Sequence, residues 1–413
     1  MFLRSIAALT IACAAGAPAA ADVLVVGSGN YPTVQDAVNA AHERDIVLVY
    51  STVATNVVIE KGVTIVADVP GTISWFGSLH IQNVPAGSTV VVSGFALGIA
   101  SPLLVSSCGG SIRIHDCHVA PTSVPFQLAL TAAVCTSSRD VAFLHSSITG
   151  GAGVNGPDGA AAISATGCSL TIDDSIVRGG AGRAGAPNDF SHQSDPGGAG
   201  GHAIVLARGG LVLQCADVAG GAGGDGFFGN CSSFPASAGG PGGDGLVLGA
   251  NAVARAIDGA TAGGSGGVGG VNSCNRAPDG APGSAVNAAG GTWSRVAGPN
   301  RALAAPRIVR AGRPLELRFS GAPFEQVFLV MSHTAAHVDA PELDGVWLLQ
   351  GPARTIACGA LDAGGALTLD WTTPSLPAGV AGDVLHLQPV MIDALGNTRL
   401  GCARVLVRLD ANH

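Results

Sequence analysis

Between Ile148 and Trp293 glycine doublets return on a fixed beat, and no other feature constrains the fold of this chain as tightly. Gly-Gly-Ala-Gly opens at 150, 179 and 220, and Gly-Gly-Ser-Gly at 263. A second series lies between them: Gly156-Pro157-Asp158-Gly159, Gly197 to Gly201, Gly239 to Gly243, and Asp279 to Gly283, spaced by 41, 42 and about 41 residues. Each unit also holds a short apolar run, and the runs align: Leu170-Thr171-Ile172, Leu211-Val212-Leu213, Val253-Ala254-Arg255. One strand-like run per fixed period is the pattern of a solenoid, whose units stack to share one core. Glycine pairs between the runs suit tight loops, close backbone approach, or extended polyglycine-like strands packed together.

The same register extends upstream. Ile112 to Val119 (IRIHDCHV) aligns with Val141 to Ile148, Leu170 to Val177 and Leu211 to Val218, at spacings of 29, 29 and 41. The shorter spacing suits a single coil of a parallel β-helix, and the longer one a coil with a glycine-rich loop inserted. Such coils stack at strand spacing, about 4.8 Å. The expected architecture is all-β: a right-handed parallel β-helix over about 22–300, with its glycine-rich repeats at 148–293, closing near Trp293.

The N-terminal part is organised as strand, helix, strands. Val23 to Val26 reads as a strand, and Tyr31-Pro32-Thr33-Val34-Gln35-Asp36-Ala37-Val38 opens a short helix. Thr33 with Asp36 makes a capping box, and Val34, Ala37, Val38 and Ala41 form one apolar face. Ile46 to Val49, Asn56 to Ile59 and Val63 to Val66 follow as strands. This order resembles the opening of the pectin-lyase-like right-handed parallel β-helices. The resemblance implies that the helix plugs the first coil and hides its edge from water. It departs at Val49-Tyr50-Ser51-Thr52, where many members carry Gly-x-Tyr, and it bears on fold rather than activity.

Beyond Pro299 to Pro306, which reads as a linker, the texture changes. Runs such as Pro314 to Phe319, Gln326 to Val330, Gly345 to Leu349 and Arg404 to Arg408 are separated by frequent turn signals. They predict a small antiparallel β-sandwich over about 307–410. It looks like the C-terminal sandwich modules of bacterial secreted proteins.

The first 21 residues read as a secretory signal: Arg4, an apolar stretch from Ser5 to Ala17, then Ala19-Ala20-Ala21 before Asp22. A lipoprotein signal with Cys13 as the anchored residue is the alternative. Removing the leader takes away Arg4, so 19 basic residues face 28 acidic ones, a net charge of −9. Lys61 is the sole lysine. That argues against a polybasic nucleic-acid surface. No apolar run long enough to span a membrane follows the leader. Nine of the ten cysteines remain, an odd number for an oxidising compartment. Cys231 and Cys274 occupy equivalent loops of neighbouring repeats, and Cys358 and Cys402 stand alone in the C-terminal part; both pairs are expected disulfides. Cys108 and Cys135 are also equivalent. Cys117, Cys168 and Cys215 read as buried thiols.

Two constellations are candidates for chemistry. Asp116, His145 and Asp174 fall in one column of the aligned coils, flanked by His115, His118 and Asp173. A carboxylate–imidazole–carboxylate stack could move protons. Polar turn residues that only satisfy backbone groups are the alternative. Separately, Gly220 to Phe228 and Gly239 to Val247 resemble the calcium-binding nonapeptide of RTX β-rolls. The resemblance implies Asp225 and Asp244 as calcium ligands. The neighbouring copies carry His202 and Val268 at the matching position. Asp173-Asp174 is the one element of a polygalacturonase motif present; no serine-hydrolase elbow, zinc spacing or phosphate loop occurs. The chain therefore reads as a secreted or cell-surface non-catalytic β-helix protein with a structural, adhesive or carbohydrate-binding role. Its partner would be an extracellular polysaccharide or a cell surface. A polysaccharide lyase or glycoside hydrolase is the alternative.

Overall fold

A computed structural model describes residues 21–410, apart from 70, 100–101, 122–128, 155–157, 189–192 and 230–234. The leader, Cys13 and Cys231 lie outside the described residues, except that Ala21 bridges Gly382. The chain is nearly all β, with a large curled parallel sheet, a second parallel sheet and antiparallel sheets. It visits three rows of parallel strands in turn. The first row runs from Val23–Val26 through Ser111–His115 and Asp140–Leu144 to Thr292–Val296. The second includes Leu79–Gln82, Leu103–Ser106 and Ala133–Thr136. The third includes Ala96–Ile99, His118–Pro121, Ser147–Thr149, Ile176–Arg178 and Asp217–Ala219. The long strands Ile163–Asp173 and Ile204–Gln214 each serve the first two rows and merge them into one sheet.

Sequence register and strand register coincide. Ile112 pairs with Val141, Val141 with Leu170, and Leu170 with Leu211. All four belong to one hydrophobic core, with Ile114, Phe143, Ile172 and Leu213 as the next layer. The helix Val34–Ala40 lies over the first strands, with Val34, Ala37 and Val38 in the same core. Its capping box is formed: Asp36 N–H donates to Thr33 Oγ1 at 3.1 Å, and the Thr33 hydroxyl donates to Asp36 Oδ2 at 2.6 Å.

The glycine repeats form a bundle against these rows. One layer holds 150–154, 179–187, 220–228 and 262–271; the other holds 158–162, 197–203, 238–245 and 278–284. Hydrogen bonding repeats every three residues, the period of polyproline II. Gly220, Gly223 and Gly226 donate within their own layer, to Ala262, Ser265 and Val268. Gly221 and Gly224 donate across to Gly201 and Gly198. The third residue of each triplet (Ala222, Asp225, Phe228) is exposed. The paired glycines are required because backbones touch: a Cβ on Gly221 would sit 2.0 Å from the Gly180 carbonyl oxygen. The triplet's third N–H has no place in this pattern, and the acidic residues supply partners. Asp158 Oδ1 accepts Ala199 N–H at 2.8 Å, Asp225 Oδ1 accepts Val268 N–H at 2.8 Å, and Asp244 Oδ1 accepts Ser284 N–H at 2.7 Å.

The C-terminal region has a three-stranded sheet (Ala302–Ala304, Pro314–Ser320, Ala366–Thr372) and a six-stranded sheet built around Gln326–Ala340, Gly345–Ala360 and Gly382–Ile392. Leu317, Phe319, Leu329, Leu387 and Met391 form the core they share. The six-stranded sheet also covers the outer face of the first row. Val91, Ala142, Leu144 and Val212 pack on Val346, Leu348 and Val405, while Ile46, Leu48 and Val66 pack on Val407 and Leu409. This is why strands such as Asp140–Leu144 are buried on both faces, whereas second-row strands such as Leu79–Gln82 alternate. Each large side chain removed from water here contributes about 2 kcal/mol.

Two expectations need correction. The stretch read as a linker is packed: Arg301 is buried and ion-paired to Asp258 at 3.0 Å and Glu325 at 2.6 Å, and Ala302–Ala304 is a strand. Cys358 and Cys402 do not form a disulfide; both thiols are free. Cys358 packs against the core between the two C-terminal sheets, whereas Cys402 is buried beside Cys215. Cys274 is disulfide-bonded. Its expected partner, Cys231, is outside the described residues. Cys108, Cys117, Cys135, Cys168 and Cys215 are buried free thiols, as read for three of them.

Candidate functional site

The turn from first to third row places one residue per coil in the left-handed region: Gly94, Asp116, His145, Asp174, Cys215 and Asp258, with φ from 44° to 85°. The turns are locked by the next coil. Asp116 N–H donates to Leu144 O at 3.0 Å, His145 N–H to Asp173 O at 2.9 Å, and Asp174 N–H to Gln214 O at 2.9 Å. Aspartate tolerates this conformation better than most residues. Behind the column Ser146 and Ser175 form a buried ladder: Ser146 Oγ accepts Cys117 N–H at 3.1 Å, and Ser175 Oγ accepts Ser146 N–H at 2.9 Å. Beside the column runs a groove of about 500 Å³, lined by Asp116, His118, His145, Asp174, Cys215 and Asp217 among others.

The column the sequence points to is thus real, but its chemistry is divided. Asp116 and His145 meet, with His145 Nδ1 3.2 Å from Asp116 Oδ1. The other Asp116 oxygen accepts from Arg307 Nη1 at 3.3 Å. Burial would raise the Asp116 pKa, but the His145 hydrogen bond and nearby positive charge outweigh it and hold the carboxyl below its ordinary value. Gly94 makes room for this arrangement, since a Cβ there would collide with Arg307 Nη1 at 1.9 Å. Asp174 is instead paired with Arg404. Both arginines come from the C-terminal region, and both side chains are only 4–5% exposed.

The flanking residues diverge too. His115 is buried, its Nδ1 3.0 Å from Ser93 Oγ and its Nε2 without a partner. Burial drives its pKa well below the usual histidine value. Asp173 is also buried, and Oδ2 accepts Ala403 N–H at 2.7 Å. Burial pushes its carboxyl up to about 6. His118 is exposed at the groove. The arrangement sets one His145 ring nitrogen against the Asp116 carboxylate at the groove. The neighbouring serines spend their hydroxyls on backbone carbonyls, Ser146 at 2.8 Å to Leu144 and Ser175 at 2.7 Å to Asp173, and offer no activated nucleophile.

Asp225 and Asp244 lie in different layers of the glycine bundle, each bonded to a backbone N–H of the following repeat. Among the described residues no three His, Cys, Asp or Glu side chains gather in a metal-holding group. These two residues fit backbone capping rather than a shared cage for a hard cation that wants six or more oxygens.

Arg307 and Arg404 were not legible as site residues, because their partners lie 191 and 230 positions away. Cys215 and Asp258 were within reach, since continuing the coil register past Asp174 lands on both. No family model and no curated protein matches the chain. Among solved structures, a superoxide reductase (neelaredoxin) from Ignicoccus hospitalis is similar at 14% identity, over 26% of this chain and 80% of that one, with a TM-score of 0.17. A likeness of that size carries no argument. No helix among the described residues is long and apolar enough to cross a membrane.

Proposed function

We propose that this is a secreted, non-catalytic protein in which a right-handed parallel β-helix, akin to the pectin-lyase-like superfamily, is braced by a C-terminal β-sandwich. It acts as a rigid body with a structural, adhesive or carbohydrate-binding role outside the cell. The three rows of parallel strands visited in turn support the β-helix, and the leader motif supports secretion. One observation carries the non-catalytic reading: both carboxylates of the column, Asp116 and Asp174, are engaged by buried arginines of the C-terminal region. Carboxylates committed to such struts hold two parts of the fold together and are poor candidates for a catalytic proton cycle. The acidic residues of the glycine bundle support this too, since Asp158, Asp225 and Asp244 are each spent on a backbone N–H of the next repeat.

The alternative, a polysaccharide lyase or glycoside hydrolase, draws on the half-exposed His145 held by Asp116 in an open groove. One experiment separates the two. The purified protein is incubated with pectins, alginates and other acidic glycans, with and without calcium, and assayed for new unsaturated or reducing ends and for retention. Retention without turnover supports the proposal. Turnover that disappears in His145→Ala establishes the enzyme instead.

A further inference from the structure

We infer that Cys215 and Cys402 form a thiol–disulfide couple that can tie the column turn covalently to the C-terminal region, with a low-molecular-weight disulfide as reaction partner. The two residues are brought to one point by the backbone. Arg301 O accepts the Cys402 N–H at 2.8 Å and lies 3.8 Å from Cys215 Sγ. The two buried thiols are near enough for Cys215 to act on the ionisation of Cys402. Their neighbours are pinned across the same junction: Gln214 Nε2 donates to Leu400 O at 3.0 Å, and Ala403 N–H to Asp173 Oδ2 at 2.7 Å.

Access differs between the two sulfurs. Cys215 is 8% exposed and lines both the groove of about 500 Å³ and a second one of about 310 Å³, whereas Cys402 is fully enclosed. The order of events follows. The Cys215 thiolate attacks one sulfur of the small disulfide RSSR, forming a mixed disulfide and releasing RS⁻. Cys402 then attacks the Cys215 sulfur and expels the second RS⁻. Two protons leave the protein thiols and two electrons pass to the reagent, which ends as two RSH. The Asp173 carboxyl, whose Oδ2 accepts the N–H of Ala403 next to Cys402, keeps Oδ1 without a partner and can take up the departing proton. Burial raises the Cys402 pKa well above the usual thiol value, so Cys215 and not Cys402 is the thiol that meets the reagent first.

The test uses the full chain under native conditions with oxidised glutathione, then alkylation and a non-reducing peptide map. The expected result is a cross-linked pair of peptides containing Cys215 and Cys402, with a raised Tm. Cys358→Ser should leave both unchanged. Cys402→Ser should trap glutathione on Cys215, because nothing remains to resolve the mixed disulfide. Recovery of both thiols alkylated in the wild-type chain overturns the inference, as does glutathione retained on Cys215 with Cys402 alkylated, or a Cys402→Ser chain that takes up no glutathione.

Discussion

Asp116 and Arg307 stand 191 positions apart, and the guanidinium of the second closes on the carboxylate of the first at 3.3 Å. Arg307 Nη2 also donates to Ala67 O at 2.7 Å, so one side chain bridges the ends of two first-row strands across the intervening Gly94 turn. Asp116→Ala leaves that enclosed guanidinium without its counter-charge, and a loss of about 3 kcal/mol in chemical denaturation is expected. His145→Ala, which removes a half-exposed partner of the same carboxylate, is expected to cost less than about 1 kcal/mol. Equal losses in the two variants would show that Arg307 is not the partner that matters.

Arg113 grips Asp140 through two bonds of 2.7 Å, and its Nη2 reaches Ala336 O in the C-terminal region at 3.0 Å. Both charges are enclosed, so breaking one half is costly. Asp140→Ala is expected to lower stability by about 3–5 kcal/mol. A loss under 1 kcal/mol would mean that Arg113 finds water once Asp140 is gone.

The glycine bundle allows a paired comparison. Gly221→Ala places a methyl group 2.0 Å from a carbonyl oxygen, while Gly210→Ala meets nothing within 4 Å. Gly221→Ala is expected to cost about 3 kcal/mol or more, and Gly210→Ala to stay within about 0.5 kcal/mol of the parent. Equal Tm values for the two variants would rule out the tight bundle.

Asp173 gives the protein a pH signature. Its carboxyl is raised to about 6 in the folded chain, above the ordinary value of 3.8. Below the unfolded value both states hold the proton and no penalty exists. As pH rises from about 4 to about 6 the unfolded chain releases its proton first, so stability falls across that window. The full effect is on the order of 3 kcal/mol. Asp173→Asn keeps an acceptor for Ala403 N–H and should flatten this part of a stability–pH profile. An unchanged slope between pH 4 and 6 would assign the effect to another group.

Asp225 serves the backbone of the next repeat, so Asp225→Ala is expected to lower stability by about 1 kcal/mol through the orphaned Val268 N–H. Added calcium should leave the Tm of the parent protein where it was. A calcium-dependent rise that vanishes in Asp225→Ala, Asp244→Ala would reinstate a cation at these turns.

Much of the fold was written into local periodicity. The spacing of 29 residues places Ile112, Val141 and Leu170 in one stack, because each coil must return an apolar side chain to the same interior. Thr33 and Asp36 likewise announce the helix start through their own contacts. The glycine doublets were harder to read. Their period of three is present in Gly220, Gly221, Gly223, Gly224 and Gly226, but nine-residue calcium turns share the same letters. What no local pattern carries is the partner chosen across the chain. Cys402 is bound to neither its sequence neighbour Cys358 nor any periodic mate, and Arg404 finds Asp174 only because one sheet lies along another.

The cover that Val346, Leu348, Val405, Val407 and Leu409 lay over the first row has a consequence for how the chain comes into being. A nascent protein emerging N-terminus first completes its parallel rows while Ile46, Leu48, Val66, Val91 and Leu144 still face water. The shield for that apolar stripe is synthesised only after the rows it covers. Until it docks, the intermediate carries a sticky flank, the kind of surface on which partly folded chains aggregate. Anything that delays this covering sheet, from slow translation to a premature stop before it, should therefore be felt as insolubility of the whole protein and not as loss of a separable appendage.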